Sequence, residues 1–310
     1  MAMFWKIVKF YARYTPSFTV LGYWWRSLFW SRLKPDFTGQ TWLVTGASGG
    51  LGRAIADMAL EAGATVIAAA RNPAKLAALG DGAGRIVPMA VDFASQADTE
   101  RFIGKLREDG RKIDVLVNNV GILNNEFELT SEGREASFAT NILTHFMLTE
   151  RLIAGNMLGR DGVVINMSSG GMYNAPLMVG AMNVTRPEKY RGVFAYAVHK
   201  RGQVELTKYW QTLYGPRGLH FYVMHPGWAK TAGVARSLPR FYKVLNLILR
   251  DGKQGGETAI WLAATKPSCA PGAFWFDRKI RAEHVYPATR NSKDSPADLA
   301  DYLRRELQMA

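Results

Sequence analysis

The chain has 310 residues, 39 of them basic and 26 acidic, for a formal net charge of +13, and this length suits one large α/β domain with terminal additions. The positive charge would suit nucleic acid or an anionic membrane surface, but no basic run in the body of the chain is interleaved with aromatic residues, so we expect no nucleic-acid partner. The single cysteine, Cys269, excludes an internal disulfide and a cysteine-rich metal site, so we expect no bound metal and a reducing, cytoplasmic compartment.

Residues 1–38 form an N-terminal arm that is basic, rich in aromatic residues and free of acidic residues before Asp36. Between Arg13 and Arg26 there are only twelve uncharged residues, too few for a helix that spans a bilayer. Two interpretations remain open: a peripheral membrane contact through residues 1–34, or an arm that packs its aromatic rings on its own core or on a neighbouring subunit. The cations of the arm are Lys6, Lys9, Arg13, Arg26, Arg32 and Lys34.

An apolar, β-prone run that starts at Thr41 breaks into clustered glycines and then continues at helical spacing over residues 53–62. This form is typical of a first βα turn that holds a dinucleotide diphosphate, because the turn leaves no room for a Cβ and helix N-terminal amides bind the phosphates. An ordinary αβ turn is the alternative. The predicted cofactor contacts in this turn are Gly46, Ser48, Gly49, Gly50, Leu51 and Gly52.

The second predicted strand, residues 65–70, ends in small residues followed by Arg71. An acidic residue there would accept hydrogen bonds from the ribose 2′-hydroxyl of NAD, whereas an arginine suits the 2′-phosphate of NADP. We therefore expect NADP as cofactor, with NAD possible. Arg53, early in the helix after the glycines, could assist, although either arginine could also be a solvated surface residue.

Polar residues follow the next two predicted strands. Asp92 comes after residues 85–91 and could cap the following helix or bind the adenine amino group. The strand over residues 113–117 leads into four predicted cofactor contacts at the carboxyl edge of the sheet, where ligands bind in open α/β folds. These are Asn118, Asn119, Val120 and Gly121.

These motifs, with those that follow them, resemble the short-chain dehydrogenase/reductase family over residues 39–285. The resemblance implies an α/β fold, a doubly wound parallel sheet (Rossmann fold) in a single domain, here with the N-terminal arm. His225-Pro226-Gly227-Trp228-Ala229 and the stretch 274–279 further resemble the dehydrogenase/reductase family member 12 subgroup. The motifs in order are the glycine turn at 45–52, Asn-Asn-Val-Gly at 118–121, Asn141, Ser168-Ser169, Tyr196-Ala197-Val198-His199-Lys200 and Pro226-Gly227.

The glycine turn alone fits two branches of that family. Gly46, Gly50 and Gly52 match the classical spacing, whereas Gly46, Gly49 and Gly52 match the extended branch that contains sugar epimerases. The Asn-Asn-Val-Gly and Pro-Gly motifs favour the classical branch.

Hydride transfer between a nicotinamide and a carbinol carbon needs a proton donor or acceptor at the oxygen, and Tyr196 is the candidate. Lys200 lies one helical turn further on the same face, where its positive charge would lower the pKa of the tyrosine. By resemblance, Ser169 rather than Ser168 would bind the substrate oxygen, and Asn141 would help hold a water in a proton relay through Lys200. A Tyr-x-x-x-Lys pair on a solvated helix face is the alternative, and His199 is predicted to be a helix-surface residue.

After the sixth predicted strand, the resemblance implies that Pro226, Gly227, Trp228 and Thr231 hold the nicotinamide end of the cofactor. The segment of about 230–250 contains an apolar stretch at 241–249, predicted as a lid over a lipophilic ligand or as a helix packed on the body or on a subunit. The 27 positions from Ser169 to Tyr196 exceed the family separation and should form part of the substrate wall. The tail, 286–310, carries a charged helix at 296–307 that is expected to be peripheral.

The sequence therefore predicts an NADP-dependent oxidoreductase that acts on a carbonyl or secondary alcohol of a lipophilic compound. Two alternatives are a non-catalytic NADP-binding regulatory protein and an extended-branch sugar-nucleotide enzyme. The resemblance also implies a homo-oligomer paired through helices over residues 131–158 and 194–215. Peripheral contact of a cytoplasmic protein with a membrane surface is the remaining expectation.

Overall fold

The computed structural model describes residues 12–80 and 84–309, so the predicted arm residues Lys6 and Lys9 lie outside the described part. An eight-stranded sheet lies at its centre. The strands are β1 (Thr41–Thr45), β2 (Thr65–Ala70), β3 (Ile86–Ala90), β4 (Ile113–Asn118), β5 (Leu158–Met167), β6 (His220–Met224), β7 (Phe274–Phe276) and β8 (Lys279–Arg281). Their order in the sheet is β3-β2-β1-β4-β5-β6-β7-β8, parallel throughout except for the antiparallel edge strand β8.

Helices cover both faces of this sheet. The helices are α1 (Val20–Ser27), α2 (Gly50–Glu61), α3 (Pro73–Ala77), α4 (Gln96–Glu108), α5 (Thr144–Ala154), α6 (Gly192–Tyr214), α7 (Ala232–Ser237), α8 (Pro239–Leu245), α9 (Gly252–Thr265) and α10 (Pro296–Glu306). One face carries α2 and α9, and the other carries α4, α5, α6 and α10, with an apolar core beneath each layer. Residues 12–18 are helical as well, and an α-helical turn (Ala136–Phe138) and a π-helical turn (Ala139–Leu143) lead into α5.

The predicted doubly wound sheet is confirmed. Strands β1, β2 and β4 are almost wholly buried, as parallel strands covered by helices on both faces must be. The chain order reverses between β1 and β4, which opens a crevice at the carboxyl edge of these strands. Strand β2 has its predicted bounds, β3 is one residue shorter at each end, and β4 extends to Asn118.

Helix α10 is not peripheral, contrary to the prediction from its charges. It begins at a capping box on Ser295 and buries Leu299, Ala300 and Leu303 completely against the core on the α6 side of the sheet. Burial of each leucine contributes about 1.5–3 kcal/mol. Three apolar residues at positions i, i+1 and i+4 thus suffice to dock a helix that carries five charged residues.

The arm packs on the domain through one side. Tyr14 and Phe18 are buried beside Phe276, and Arg26 pairs with Asp277. This part of the arm therefore follows the packing alternative, while its outer side carries exposed tryptophans. Among the described residues, no helix has both the length and the apolar character needed to cross a bilayer.

Candidate active site

The glycine turn after β1 has the geometry of the classical spacing. Gly46 and Gly50 adopt φ values of +70° and +56°, a region that side-chain-bearing residues rarely occupy. A Cβ on Gly52 would clash with the carbonyl of Gly46 and the amide of Asn119. Gly49, the additional glycine of the extended spacing, has extended φ and open space around its Cβ position. The backbone thus requires the three glycines of the classical branch.

The residues of the Asn-Asn-Val-Gly motif point in two directions, some towards the glycine turn and one into the core. The Asn119 side chain donates to the Thr45 carbonyl at 2.7 Å, and the Val120 amide donates to Thr45 Oγ1 at 3.0 Å, which fixes the end of β4 against the glycine turn. Asn118 is fully buried and donates to Thr149 and to Asn166. Its side chain therefore joins β4 to its neighbours and points away from the cleft that was predicted to be its site.

The end of the crevice that was predicted to hold the adenosine is a cavity of about 340 Å³ lined by Arg71, Asp92 and Arg236, among others. Asp92 Oδ1 accepts from the Ala94 amide, while Ser95 is the residue that caps α4. Asp92 therefore does not cap this helix. Arg71 is exposed at the rim of the cavity, in a position to meet a phosphate.

Arg53, the other arginine considered for the 2′-phosphate, is already paired. Its Nε donates to both carboxylate oxygens of Asp57 at 2.7 and 2.8 Å. Arg71 has no such ion pair among the described residues, and of the two it is the better placed to bind a ligand.

Tyr196 and Ser169 form the centre of the site, with the Tyr196 ring and the Ser169 hydroxyl both beside Gly171, and the serine opposes the rise that burial causes in the pKa of the tyrosine. Ser169 lies just past β5, where it accepts from the Gly171 amide at 3.2 Å. Ser168 is turned the other way, buried, and donates to the Lys200 carbonyl at 2.8 Å. The geometry thus brings the second serine, as predicted, next to the tyrosine.

Lys200 lies inside the same helix, α6, with its Nζ 5.4 Å from the centre of the Tyr196 ring. Burial lowers the pKa of Lys200 to about 7, and its Nζ donates to the Met167 carbonyl at 2.7 Å. The pKa of Tyr196 is raised by burial, with the Ser169 hydrogen bond acting in the opposite direction. The predicted lowering of the Tyr196 pKa by Lys200 is therefore not found in this arrangement, where burial has the largest effect on that pKa and Ser169 opposes it.

Asn141 lies in the π-helical turn before α5 rather than in a regular helix that starts near residue 131. Its side chain exchanges two hydrogen bonds of 2.8 Å with the backbone of Ile122, and its Oδ1 and Lys200 Nζ both lie beside Gly121. A π turn releases a carbonyl from the regular helical pattern, and the Asn141 carbonyl accepts from Gln203 Nε2 at 2.8 Å.

Two residues that the sequence analysis missed complete this network. Gln203 Oε1 accepts from Lys200 Nζ at 3.1 Å, and Gln203 Nε2 lies 3.0 Å from Nδ1 of His145. His145 Nε2 in turn lies 2.8 Å from the Val120 carbonyl in the cofactor motif. The position of Gln203 three residues after Lys200, on the same face of α6, was the only signal available in the sequence.

His199 is not on the helix surface, contrary to the prediction. It is fully buried, and its Nε2 lies 2.8 Å from the Met182 carbonyl. The segment between Ser169 and α6 covers it, because Met172, Tyr173 and Met182 pack into the core and hold this long segment against α6.

The loop after β6 carries the four residues predicted to hold the nicotinamide end of the cofactor. Gly227 has a φ of +77° and lies against the Arg250 side chain, which leaves no room for a Cβ. The Trp228 backbone amide donates to the Phe18 carbonyl at 2.8 Å, so the arm supports this loop.

Thr231 caps α7 and contacts Gly50 across the crevice. Pro226, the other predicted contact, is buried beside Gly255.

Helix α7 then crosses the mouth of the crevice. Ser237 donates to the Leu123 carbonyl at 2.6 Å and accepts from Asn125 at 2.8 Å, which ties the segment after β6 to the loop after β4. Arg236 on the same helix lines the cavity. Metal-ligating side chains form no cluster in the described ranges 12–80 and 84–309.

Comparison with known proteins identifies this arrangement. The profile of the short chain dehydrogenase family matches residues 40–240. Human dehydrogenase/reductase SDR family member 12 is 35% identical over 277 residues, which cover 86% of this chain and 84% of the relative. Mouse retinol dehydrogenase 14 is 28% identical over 253 residues, which cover 73% and 74% of the two chains.

The solved structures share the fold. The angucycline C-6 ketoreductase LanV with bound NADP superposes with a TM-score of 0.60, at 22% identity, over 77% of this chain and 94% of that chain. The predicted family is confirmed by the profile match and by the human relative. The chain belongs to the short-chain dehydrogenase/reductase family of NAD(P)-dependent oxidoreductases.

Proposed function

We propose that this protein is an NADP-dependent oxidoreductase that interconverts a carbonyl and a secondary alcohol in a lipophilic compound, with Tyr196 as the general acid and base. The observation that carries the proposal is the placement of the Tyr196 ring and Ser169 Oγ beside Gly171, with the buried Lys200 Nζ 5.4 Å from the centre of the same ring. A protein that only bound the nucleotide would not need this proton-transfer arrangement.

The crevice fits NADP along its length. The glycine turn gives the backbone of α2 access to a diphosphate, Arg71 is exposed at the adenosine end, and Thr231 faces the turn from the nicotinamide end. When bound, the cofactor supplies or accepts the hydride. The remaining task, movement of the proton at the substrate oxygen, falls to residues of this chain.

Tyr196 holds that proton. Because burial raises its pKa, the phenol stays protonated at neutral pH, which suits donation to the oxygen of a carbonyl under reduction. Ser169 binds the phenol and can offer a second hydrogen bond to the same substrate oxygen. Lys200 and Gln203 lie behind them as hydrogen-bonded, buried polar groups, through which the proton that Tyr196 donates can be replaced.

A lipophilic substrate is supported by two observations. Retinol is an apolar alcohol, and retinol dehydrogenases are among the relatives. The rim of the crevice beyond Thr231 is aromatic, with the Trp228 and Phe241 rings 5.1 Å apart. The extended-branch alternative is disfavoured by the backbone of the glycine turn, which requires the classical spacing.

NADPH oxidation measured against a panel of lipophilic aldehydes and ketones and matched water-soluble carbonyls tests the proposal. We expect turnover with at least one lipophilic carbonyl at a higher kcat/KM than its soluble analogue. NADP binding without turnover of any carbonyl or alcohol would favour the regulatory alternative.

Pairing of two copies through the helices over residues 131–158 and 194–215 stays a prediction. Helix α10 packs on both, with the Arg304 guanidinium above the Phe146 ring and bonded to Tyr209. Exposed apolar side chains on the predicted pairing helices include Phe194 and Leu213. Sedimentation at micromolar concentration is expected to show a homo-oligomer, and a monomer would contradict the prediction.

The arm is proposed to contact a membrane surface peripherally. Its inner side is occupied by the domain, whereas Trp24 and Trp25 on its outer side are 57% and 66% exposed. Tryptophan is the residue typical of the boundary between water and lipid.

A further inference from the structure

Helix α1 turns its apolar side outward. Its exposed large side chains recur at positions i, i+3, i+4, i+7 and i+8, which is one face of a helix and of the turn that follows it. On the opposite side, Gly22 is buried against the backbone of residues 16–17 and Arg26 reaches Asp277 inside the protein. The exposed residues are Leu21, Trp24, Trp25, Leu28 and Phe29, between 53% and 74% exposed.

The segment that follows α7 adds a second apolar surface. Val244 is 78% exposed and Leu247 is 91% exposed, and they lie three residues apart at the end of α8. Singly exposed apolar residues are ordinary. Two apolar side chains that are almost fully exposed beside a crevice indicate a binding surface.

The two surfaces are adjacent. The Val20 amide donates to the Ile248 carbonyl at 3.0 Å, so Leu21 and Leu247 flank one hydrogen bond. We call the outer side of α1, residues 28–29 and residues 244–247 the apolar face. Arg250 joins its two parts, because it donates to the backbone of residues 17–19 and follows the lid directly in sequence.

The two segments that carry the apolar face are basic. Residues 12–35 and 228–250 contain no acidic residue, and the first acids after them are Asp36 and Asp251. An excess of cations beside an exposed apolar and tryptophan-rich face complements an anionic lipid surface, where apolar burial and attraction of the basic residues act together. The exposed cations of these segments are Arg13, Arg32, Lys34, Lys230, Arg236, Arg240 and Lys243.

We propose that the apolar face, formed by α1 with residues 28–29 and by residues 244–247, docks on an anionic lipid bilayer. The end of the crevice next to the predicted lid, residues 241–249, then lies at the lipid surface. This deepens the peripheral contact proposed for the arm, because it places the lid in the same contact and gives a lipophilic substrate a path from the bilayer. The proposed docking on a bilayer does not depend on which carbonyl compound the enzyme reduces.

The test uses the full-length protein and vesicles of phosphatidylcholine and phosphatidylserine, with co-sedimentation at low and high salt. We expect binding that weakens at high salt. We expect at least a tenfold lower vesicle partition for Val244→Ser/Leu247→Ser and for Trp24→Ser/Trp25→Ser. Ile280→Ser, at an exposed isoleucine of strand β8 outside the apolar face, is the matched control and should bind like the wild type.

Three outcomes would overturn the inference. Wild-type protein that stays in solution at low salt would show that the face does not bind lipid. Unchanged partition of the Val244→Ser/Leu247→Ser variant would remove the lid from the contact. Dimers of wild type that dissociate on the same substitutions would assign the face to a second copy of the chain. NADPH turnover of a water-soluble carbonyl, measured in parallel, separates failure of this inference from failure of the proposed activity.

Discussion

Arg250 and Asp277 form a bidentate ion pair in the interior, with Nη1 to Oδ1 at 2.6 Å and Nη2 to Oδ2 at 2.8 Å. Their side chains are 1% and 2% exposed. Arg26 of the arm donates to the same carboxylate at 2.6 Å, and Arg250 Nε donates to the Phe18 carbonyl at 3.0 Å. One buried carboxylate thereby joins the arm, the start of the loop before α9 and the turn between β7 and β8.

Removal of that carboxylate should destabilise the fold strongly. Asp277→Ala leaves Arg250 buried without its counter-ion, and we expect a loss of about 3–5 kcal/mol in the free energy of unfolding. Urea unfolding measures it, with Asp277→Asn as a milder variant. Glu61→Ala, which breaks the exposed pair with Lys253, should cost less than about 1 kcal/mol. Equal losses for Asp277→Ala and this control would contradict the prediction.

Tyr196→Phe should lower kcat by about 100-fold or more, because proton transfer by a positioned side chain contributes about that factor. NADP binding should be largely retained, since the diphosphate and adenosine contacts lie elsewhere in the crevice. Steady-state kinetics and calorimetry measure the two quantities. Tyr209→Phe, remote from the site and next to Arg304, is the control, and retained turnover in Tyr196→Phe would refute the role of the tyrosine.

Arg71→Ala should weaken NADP binding about tenfold to a hundredfold, as expected for loss of a charge-assisted hydrogen bond, and leave NAD binding unchanged. Arg53→Ala is the matched control, because the ion pair with Asp57 already occupies that side chain. Calorimetric titration with both nucleotides gives the ratio. Wild-type protein that binds NAD as tightly as NADP would show that Arg71 does not select the cofactor.

Gln203 should act as a positioning residue through Lys200. Gln203→Ala removes an acceptor from the Nζ of Lys200 and should shift the lysine-dependent limb of the kcat/KM profile to lower pH, because the charged form loses a hydrogen bond. Gln203→Glu puts a carboxylate there and should shift the same limb to higher pH. Gln211→Ala, which loses only a contact to the Phe221 amide, should leave the profile in place. Shifts of the same sign in both Gln203 variants would indicate a purely structural role.

Acid should destabilise the protein through its buried histidines. Burial lowers the pKa of His145 to about 3 and of His199 to about 4, from about 6.5 in the unfolded chain. Between the folded and unfolded pKa values, the unfolded state binds more protons than the folded state. The free energy of unfolding is therefore highest above pH 6.5 and falls as the pH drops towards 4, by up to about 1.4 kcal/mol per pH unit for each histidine. Unfolding of His199→Gln, measured from pH 6.5 to 4.5, should show a shallower slope. His220→Gln, at a half-exposed histidine, is the control and should leave the slope as in the wild type. An unchanged slope in His199→Gln would show that His199 does not contribute to the acid destabilisation.

Much of the site was predictable because its signals are local. The glycine turn, Arg71 after β2 and the spacing of Tyr196 and Lys200 each depend on a few consecutive residues, whose backbone requirements the residue types state directly. The parallel sheet followed from alternating apolar strands and helical periods.

What required the tertiary structure is the direction in which each side chain points. His199 and Lys200 are neighbours in sequence, yet burial of His199 depends on the distant segment that packs over α6. Asn118 and Asn119 differ in the same way, one joined to β5 and the other to the glycine turn. The pKa of Tyr196 rises because the fold removes it from water, an effect with no sequence pattern.

The sequence by itself determined the family, the sheet and the order of the catalytic motif, since these rest on local backbone conformation and on residue spacing. The tertiary structure alone decided that Arg250, Asp277 and Arg26 meet, and that α10 is buried. Both depend on contacts between segments far apart in the chain. A buried charge is tolerated only where the fold delivers its partner, and an amphipathic helix packs only where the fold leaves an apolar surface for it.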